Sequence, residues 1–276
     1  MAHRRLRAAA SAVALIATVV TLAPVQMLML RLGRPSAETI PLRFHRLALR
    51  IVGMRVRVIG APAGARPLLI TSNHSSWLDI PVLGSVCQMC FVAKSEIADW
   101  PVFGWLAKLQ RSIFVDRSRR SATGNVNRRM AERMAAGQPV VLFAEGTSSD
   151  GNRVLPFRTA LLGATQNALL AGGEAAAVWV QPVSIAYTHR NGLPLGRLGR
   201  PFVAWYGDMG FPQHLWSILR DGAIDATVTF GEPIAADPAT DRKRLAAAVE
   251  REVRRLTNAA LLGRPDAQVR SPDDAA

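Results

Sequence analysis

From Ala8 to Leu30 the chain carries no charged side chain, while Arg4, Arg5 and Arg7 stand before this run and Arg31 and Arg34 after it. Only Ser11, Thr18, Thr21, Pro24 and Gln26 interrupt its apolar character. A helix of this length, rising about 1.5 Å per residue, is long enough for a hydrocarbon core of about 30 Å. The run therefore directs the start of the chain to a membrane, as a span or as a helix lying in the cytoplasmic leaflet. A signal peptide is the third reading, since Thr21 and Ala23 make a passable cleavage pattern; Pro24 directly after them and the lack of a cysteine framework weigh against it. The following segment, Pro41 to Met54, places Arg43, Arg46 and Arg50 at helical spacing with Leu42, Leu49, Ile51 and Val52 elsewhere around the turn. It reads as a basic amphipathic helix on an anionic surface, or as an ordinary surface helix of the domain that follows.

Charge supports the membrane. Lys+Arg 34 against Asp+Glu 20 leaves a net charge of +14, which calls for an anionic partner, either nucleic acid or the inner leaflet. A nucleic-acid binder would interleave aromatic residues with its basic patches, and that pattern is missing, so no nucleic-acid partner is expected. A hydrophobic fraction of 49% excludes disorder and, over 276 residues, suffices for a full α/β core. Two cysteines exclude a disulfide scaffold and indicate a reducing compartment. Cys87 and Cys90 have the spacing of a zinc half-site, but no second cysteine pair completes it, and no metal is expected.

From Arg55 onward short β-branched runs alternate with helical stretches. Strands are predicted at 55–59, 68–72, 90–93, 112–115, 140–143, 178–185, 201–206 and 226–230. Helices are predicted at 77–84, 102–109, 122–136, 161–171, 213–219 and 240–261. The unalternated Leu68–Ile70 and Val140–Phe143 suggest strands covered on both faces. The expected fold is α/β: a single domain with a mixed, largely parallel central sheet flanked by helices, preceded by an N-terminal membrane-associating helical segment. The organisation is then a membrane-associating leader and basic amphipathic helix over residues 1–53, the α/β domain over 54–263 and a flexible tail over 264–276.

Three polar constellations interrupt this pattern. Asn73-His74-Ser75-Ser76-Trp77-Leu78-Asp79 follows a buried strand and precedes a helix. His74 and Asp79 are five residues apart and would diverge on one regular helix, so they meet only if His74 lies in the turn and Asp79 in the first helical turn. A carboxylate would then hold one imidazole nitrogen while the other accepts a proton from a hydroxyl. Asn73 or Ser75 acting as a helix cap, with His74 a plain loop residue, is the alternative. Arg111 to Arg117 is an apolar strand bracketed by guanidinium groups, either phosphate forks or surface ion pairs. Phe143-Ala144-Glu145-Gly146-Thr147-Ser148 runs from a strand into a glycine-bearing loop, where Glu145 could accept from substrate hydroxyls, or which is a simple turn. His3, His45, His189 and His214 lack an acidic partner at such spacing and read as surface or capping residues.

Taken together and in order, these blocks resemble the glycerolipid acyltransferase family, which acylates lysophosphatidate and related lysolipids. The Asn-His-x4-Asp block is matched by Asn73, His74 and Asp79, and the apolar strand ending in arginine by Ile113 to Arg117. Phe-x-Glu-Gly-Thr is matched by Phe143, Glu145, Gly146 and Thr147, and the hydrophobic strand reaching a proline by Val178 to Ser184. The resemblance spans roughly residues 50 to 235. It implies transfer of an acyl group from acyl-ACP or acyl-CoA, as co-substrate and with no cofactor, to a lysolipid hydroxyl at the cytoplasmic face of the cell membrane. His74 would be the general base and Asp79 its orienting partner, with Asn73, Arg111, Arg117, Glu145, Gly146, Thr147, Arg153 and Arg158 as substrate-binding residues. The family usually continues Glu-Gly-Thr with arginine, where this chain has Ser148. The stretch from Asp150 to Arg158 is similar to the branch that includes lyso-ornithine lipid acyltransferases. Family frequency points to 1-acyl-sn-glycerol-3-phosphate as acceptor, giving phosphatidic acid, and the local sequence to lyso-ornithine lipid. A non-catalytic, membrane-anchored basic binding protein is the distant alternative.

Overall fold

The computed structural model describes residues 2–115, 120–172 and 177–264. The uncharged run forms α1 (Ala2–Arg31), and the basic segment forms α2 (Ser36–Val52). The hydroxyls of Thr18 and Thr21 donate to the carbonyls of Ala14 and Ala17, so the helix satisfies its own polar breaks. Its large side chains point outward: Leu6, Val13, Ile16, Val20, Val25 and Leu28 are 45–67% exposed. Its small and polar residues point inward, with Ala8, Ser11, Thr18, Ala23 and Gln26 buried. Arg7 donates to the carbonyls of Val52 and Asp221, and Gln26 Nε2 to those of Ala37 and Leu109, which fixes α1 along the body near both of its ends.

α2 begins five residues earlier than predicted, with Pro41 inside it. Pro41 has no N–H to offer the carbonyl of Ala37 one turn back, and the Gln26 side chain takes that carbonyl instead. Arg43, Arg46 and Arg50 are exposed while Ala48, Leu49 and Val52 face the body, in keeping with the amphipathic reading.

The sheet contains β1 (Met54–Ile59), β2 (Leu68–Ser72), β3 (Cys90–Lys94), β4 (Ile113–Val115), β5 (Val140–Phe143), β6 (Val178–Arg190), β7 (Leu193–Pro194), β8 (Ile224–Phe230) and β9 (Ile234–Ala236). Its main path is β1-β8-β6-β2-β5-β3-β4, with β7 and β9 also on β6. All neighbouring pairs on that path are parallel except β6 with β8, so the sheet is mixed and largely parallel, as expected. The remaining helices are α3 (Asp79–Gly84), α4 (Phe103–Leu109), α5 (Arg120–Ala135), α6 (Gly163–Gly172), α7 (Phe211–Asp221) and α8 (Arg242–Leu261).

Successive residues of the buried strands serve opposite layers. Leu69, Val140 and Leu142 pack with α5, α6 and α8, whereas Leu68, Ile70, Val141 and Phe143 pack with α1, α2, α3 and α7. Burial on both faces explains the continuous apolar runs of β2 and β5. Because β2, β5, β3 and β4 are parallel, their C-terminal ends and the loops after them emerge at one edge of the sheet, with Lys94 at the end of β3 and His74 and Glu145 in the loops after β2 and β5.

Two expectations fail in this frame. Residues 201–206 are not a strand: Arg200–Phe202 is a short 3-10 turn, and Trp205 crosses to the loop after β2, its N–H donating to the carbonyl of Ser75. Pro201 offers no ladder donor, so the apolar pattern there reflects burial of Val203 and Ala204 in a loop. His45 and His214 are not surface residues but 6% and 5% exposed, the first turned from α2 onto Gly84 of α3 and the second paired with Trp77 in the loop after β2. The strand over 178–185 extends to Arg190, and β9 had no counterpart in the sequence reading.

Candidate active site

β2 ends at Ser72, and the chain turns through Asn73–Leu78 into α3, whose first residue is Asp79. Asn73 exchanges two 2.9 Å hydrogen bonds with the backbone of Ile185 on β6, its amide group standing in for a peptide and prolonging the β2–β6 pairing. The next residue is thereby positioned rigidly. His74 Nδ1 lies 2.8 Å from Asp79 Oδ2, the arrangement anticipated from the five-residue spacing.

A carboxylate only accepts, so Nδ1 carries the proton and Nε2 presents its lone pair. The imidazole side chain is 19% exposed, whereas Asp79 is fully buried. The same Oδ2 accepts from the N–H groups of Ser75 and Ser76 at 2.8 and 3.0 Å, and Oδ1 accepts from the Tyr187 hydroxyl at 2.6 Å. Four donors therefore satisfy a carboxylate that is cut off from water. The imidazole stacks on Phe143, with centroids 4.2 Å apart and planes 18° from parallel.

The loop after β5 braces this arrangement from the other side. Glu145 Oε1 accepts from the N–H of His74 at 3.1 Å, and the N–H of Ser149 donates to the carbonyl of His74 at 2.9 Å. Gly146 turns with φ +72°, a left-handed conformation natural to glycine, beneath the Arg158 side chain. Ser148 donates to the carbonyl of Trp205 at 2.6 Å, closing the loop against the segment before α7.

Burial lifts the Glu145 carboxyl from the ordinary 4.5 to about 8, over the opposing effect of the N–H groups of His74 and Leu155. At neutral pH it keeps its proton. Glu145 and Asn73, expected to bind the substrate, are turned into the scaffold instead, 2% and 6% exposed, and hold the backbone around His74.

Among the other expected site residues, Thr147, Arg153 and Arg158 are exposed at the catalytic edge. Arg111 is not part of the site. It precedes β4 and so lies at the opposite edge of the sheet, 3.9 Å from Glu38 of α2. The sequence joined it to the site because it flanks the same short strand as Arg117, but the two ends of a strand open on opposite edges. Arg117 lies outside the described residues. Cys87 and Cys90 also fall at the far edge, with burial pushing the Cys87 thiol up to about 11.

Three further features had no signal in the sequence. Tyr187 approaches Asp79 from β6, 108 positions away. Trp77 Nε1 donates to His214 Nδ1 at 2.9 Å, coupling the catalytic loop to α7. Trp77, Trp100, Phe103, Trp205 and Phe211 form a contiguous aromatic cluster around Phe211, with centroids 4.7 to 6.0 Å apart. The exposed Val102, Phe103, Trp105, Met209 and Trp216 of these segments add apolar surface to α4, α7 and the loops before them.

Residues 55–186 match the family model described as Acyltransferase. A lyso-ornithine lipid O-acyltransferase of Brucella abortus is 51% identical over 91% of this chain and 94% of its own length. One of Rhizobium meliloti is 42% identical over 94% of this chain and 88% of its own. A 1-acyl-sn-glycerol-3-phosphate acyltransferase of Neisseria gonorrhoeae is 33% identical over 75% of this chain and 76% of its own. The crystal structure of the 1-acyl-sn-glycerophosphate acyltransferase PlsC of Thermotoga maritima, 22% identical, superposes with a TM-score of 0.62 over 97% of this chain and 99% of that one, and shares its fold. The chain belongs to the glycerolipid acyltransferase family. It is an O-acyltransferase of lipid biosynthesis.

Proposed function

We propose that the protein acylates the hydroxyl of lyso-ornithine lipid at the cytoplasmic face of the membrane, using an acyl thioester of acyl carrier protein or coenzyme A. The pairing of His74 Nδ1 with buried Asp79, which leaves Nε2 free to take a proton, carries the chemical part of this reading. As the acceptor oxygen bonds to the thioester carbonyl carbon, Nε2 takes the hydroxyl proton, and Asp79 stabilises the imidazolium. Collapse of the tetrahedral intermediate breaks the carbon–sulfur bond, and the departing thiolate receives the proton from His74. The products are an ester and a free thiol.

Ser148 carries the choice of acceptor. Where the family usually places an arginine, this hydroxyl is spent on the carbonyl of Trp205 and offers no charge to a phosphomonoester. An ornithine headgroup presents a single carboxylate, for which exposed Arg153 or Arg158 suffices. The Brucella and Rhizobium relatives support this order. Arg153 and Arg158 also sustain the second reading, in which they bind the phosphate of lysophosphatidate in place of the absent arginine.

The outward apolar face of α1, beside the inward polar face tied to α2, α4 and α7, supports a helix lying in the leaflet with its large side chains in lipid. Arg43, Arg46 and Arg50 would face anionic headgroups.

The acceptor is tested with purified protein in mixed micelles, offered both lysolipids at equal concentration with each donor in turn. The proposal expects preference for lyso-ornithine lipid, and a shift toward lysophosphatidate in Ser148→Arg relative to a Ser148→Ala control. Preference for lysophosphatidate in the wild type, with its KM raised sharply by Arg153→Ala or Arg158→Ala, would establish the second reading.

A further inference from the structure

The catalytic carboxylate is unevenly supported. Oδ2 of Asp79 takes His74 Nδ1 and the N–H groups of Ser75 and Ser76, all supplied by the loop that carries the histidine. Oδ1 takes the hydroxyl of Tyr187 at 2.6 Å, from a strand on the other side of the loop. Tyr187 is 5% exposed, and the strand pairing of β6 with β8 shifts register immediately after it, between Tyr187 and His189. Such bulges re-aim side chains beside functional sites.

We propose that Tyr187 is a positioning residue for acyl transfer, whose hydroxyl holds the Asp79 carboxylate in the rotamer and charge state that orient His74. This rests on His74 and Asp79 being the catalytic pair. A bare Oδ1 in a fully buried site is satisfied either by rotation of the carboxylate, which takes Oδ2 away from Nδ1, or by uptake of a proton, which abolishes the charge that steadies the imidazolium. Tyr187 prevents both by donating to that oxygen. It does so without competing for the proton, because burial and the neighbouring Asp79 charge hold its phenol well above the usual range. Among the described residues, Glu145, from the loop after β5, is the ionisable side chain that also packs on this pair, and it is joined to the backbone of His74 and not to the carboxylate. No sequence block marks Tyr187.

Steady-state kinetics of Tyr187→Phe, Tyr187→Met and His74→Ala test the proposal, each variant checked by thermal unfolding. Tyr187→Phe keeps the ring and removes the donor. It should lower kcat about ten- to a hundredfold, the range associated with one hydrogen bond to a charged group, while leaving the KM for lysolipid within about twofold. Tyr187→Met should lose a similar factor in kcat and additionally melt earlier, because the ring is also gone. Near wild-type kcat in Tyr187→Phe with an inactive His74→Ala would overturn the proposal and leave the catalytic pair standing. A rise in KM with kcat unchanged, or a kcat loss confined to Tyr187→Met, would assign Tyr187 to packing alone. Near wild-type activity in His74→Ala would instead overturn the catalytic pair on which the proposal rests.

Discussion

Replacing Glu145 with glutamine separates its charge from its scaffolding role. The carboxyl is buried, and its folded-state value of about 8 stands against 4.5 for an unperturbed glutamate. Between those pH values the folded protein keeps a proton that the unfolded chain has released, so the folded state binds more protons and stability falls as pH rises. Below 4.5 both states are protonated and nothing is lost; above 8 both are ionised and the full penalty is present. At about 1.4 kcal/mol per pH unit the difference corresponds to roughly 5 kcal/mol, and admission of water to the loop reduces what is observed to about 2–3 kcal/mol. Glutamine retains an acceptor for the N–H of His74 and cannot ionise. Part of that loss is already complete by pH 5.5, so urea unfolding in detergent at pH 5.5 and 8.5 should show wild type losing about 1–2 kcal/mol more across that interval than Glu145→Gln, which should keep most of its acyl transfer at pH 7. Parallel pH dependences would refute the argument, as would loss of activity in Glu145→Gln comparable to that of a base deletion.

Acid should expose the opposite sign at His45, which burial holds down at about 4. The unfolded chain gains a proton there as pH falls from 6.5 toward 4, so His45→Gln should remove up to about 3 kcal/mol of acid sensitivity, read as the difference in Tm between pH 4.5 and 7. Gly146→Ala should cost about 1–2 kcal/mol for its left-handed backbone. A second change, Arg158→Ala, should give little relief in thermal melts, because the side chain above the glycine is exposed and can move. Val13→Arg with Val20→Arg, both on the outward face of α1, should reduce co-flotation with vesicles without altering Tm, and the binding that remains should weaken with salt.

The layers of this fold were legible where local pattern and tertiary role coincide. Unalternated runs at β2 and β5 announced strands covered on both faces, and the spacing of His74 and Asp79 announced a turn followed by a helix. The segment at 201–206 misled because burial of a loop and burial of a strand leave the same apolar trace. Arg111 misled because a sequence shows that a residue flanks a strand but not which edge of the sheet that flank reaches. Asn73 and Glu145 were found as residues, but their direction depends on partners in β6 and in the backbone of His74 that lie 71 to 112 positions away. Tyr187 and His214 act on the loop entirely through such distant contacts, and the aromatic cluster is assembled from segments with no shared periodicity.

The most direct measurement is acyl transfer by purified, folded His74→Ala protein, with acyl carrier protein or coenzyme A thioester as donor and lyso-ornithine lipid as acceptor. Loss of the base should lower kcat about 10²- to 10⁴-fold while vesicle binding stays at the wild-type level and the protein still unfolds cooperatively. Turnover near that of the wild type would contradict the assignment of His74 as the group that takes the acceptor proton.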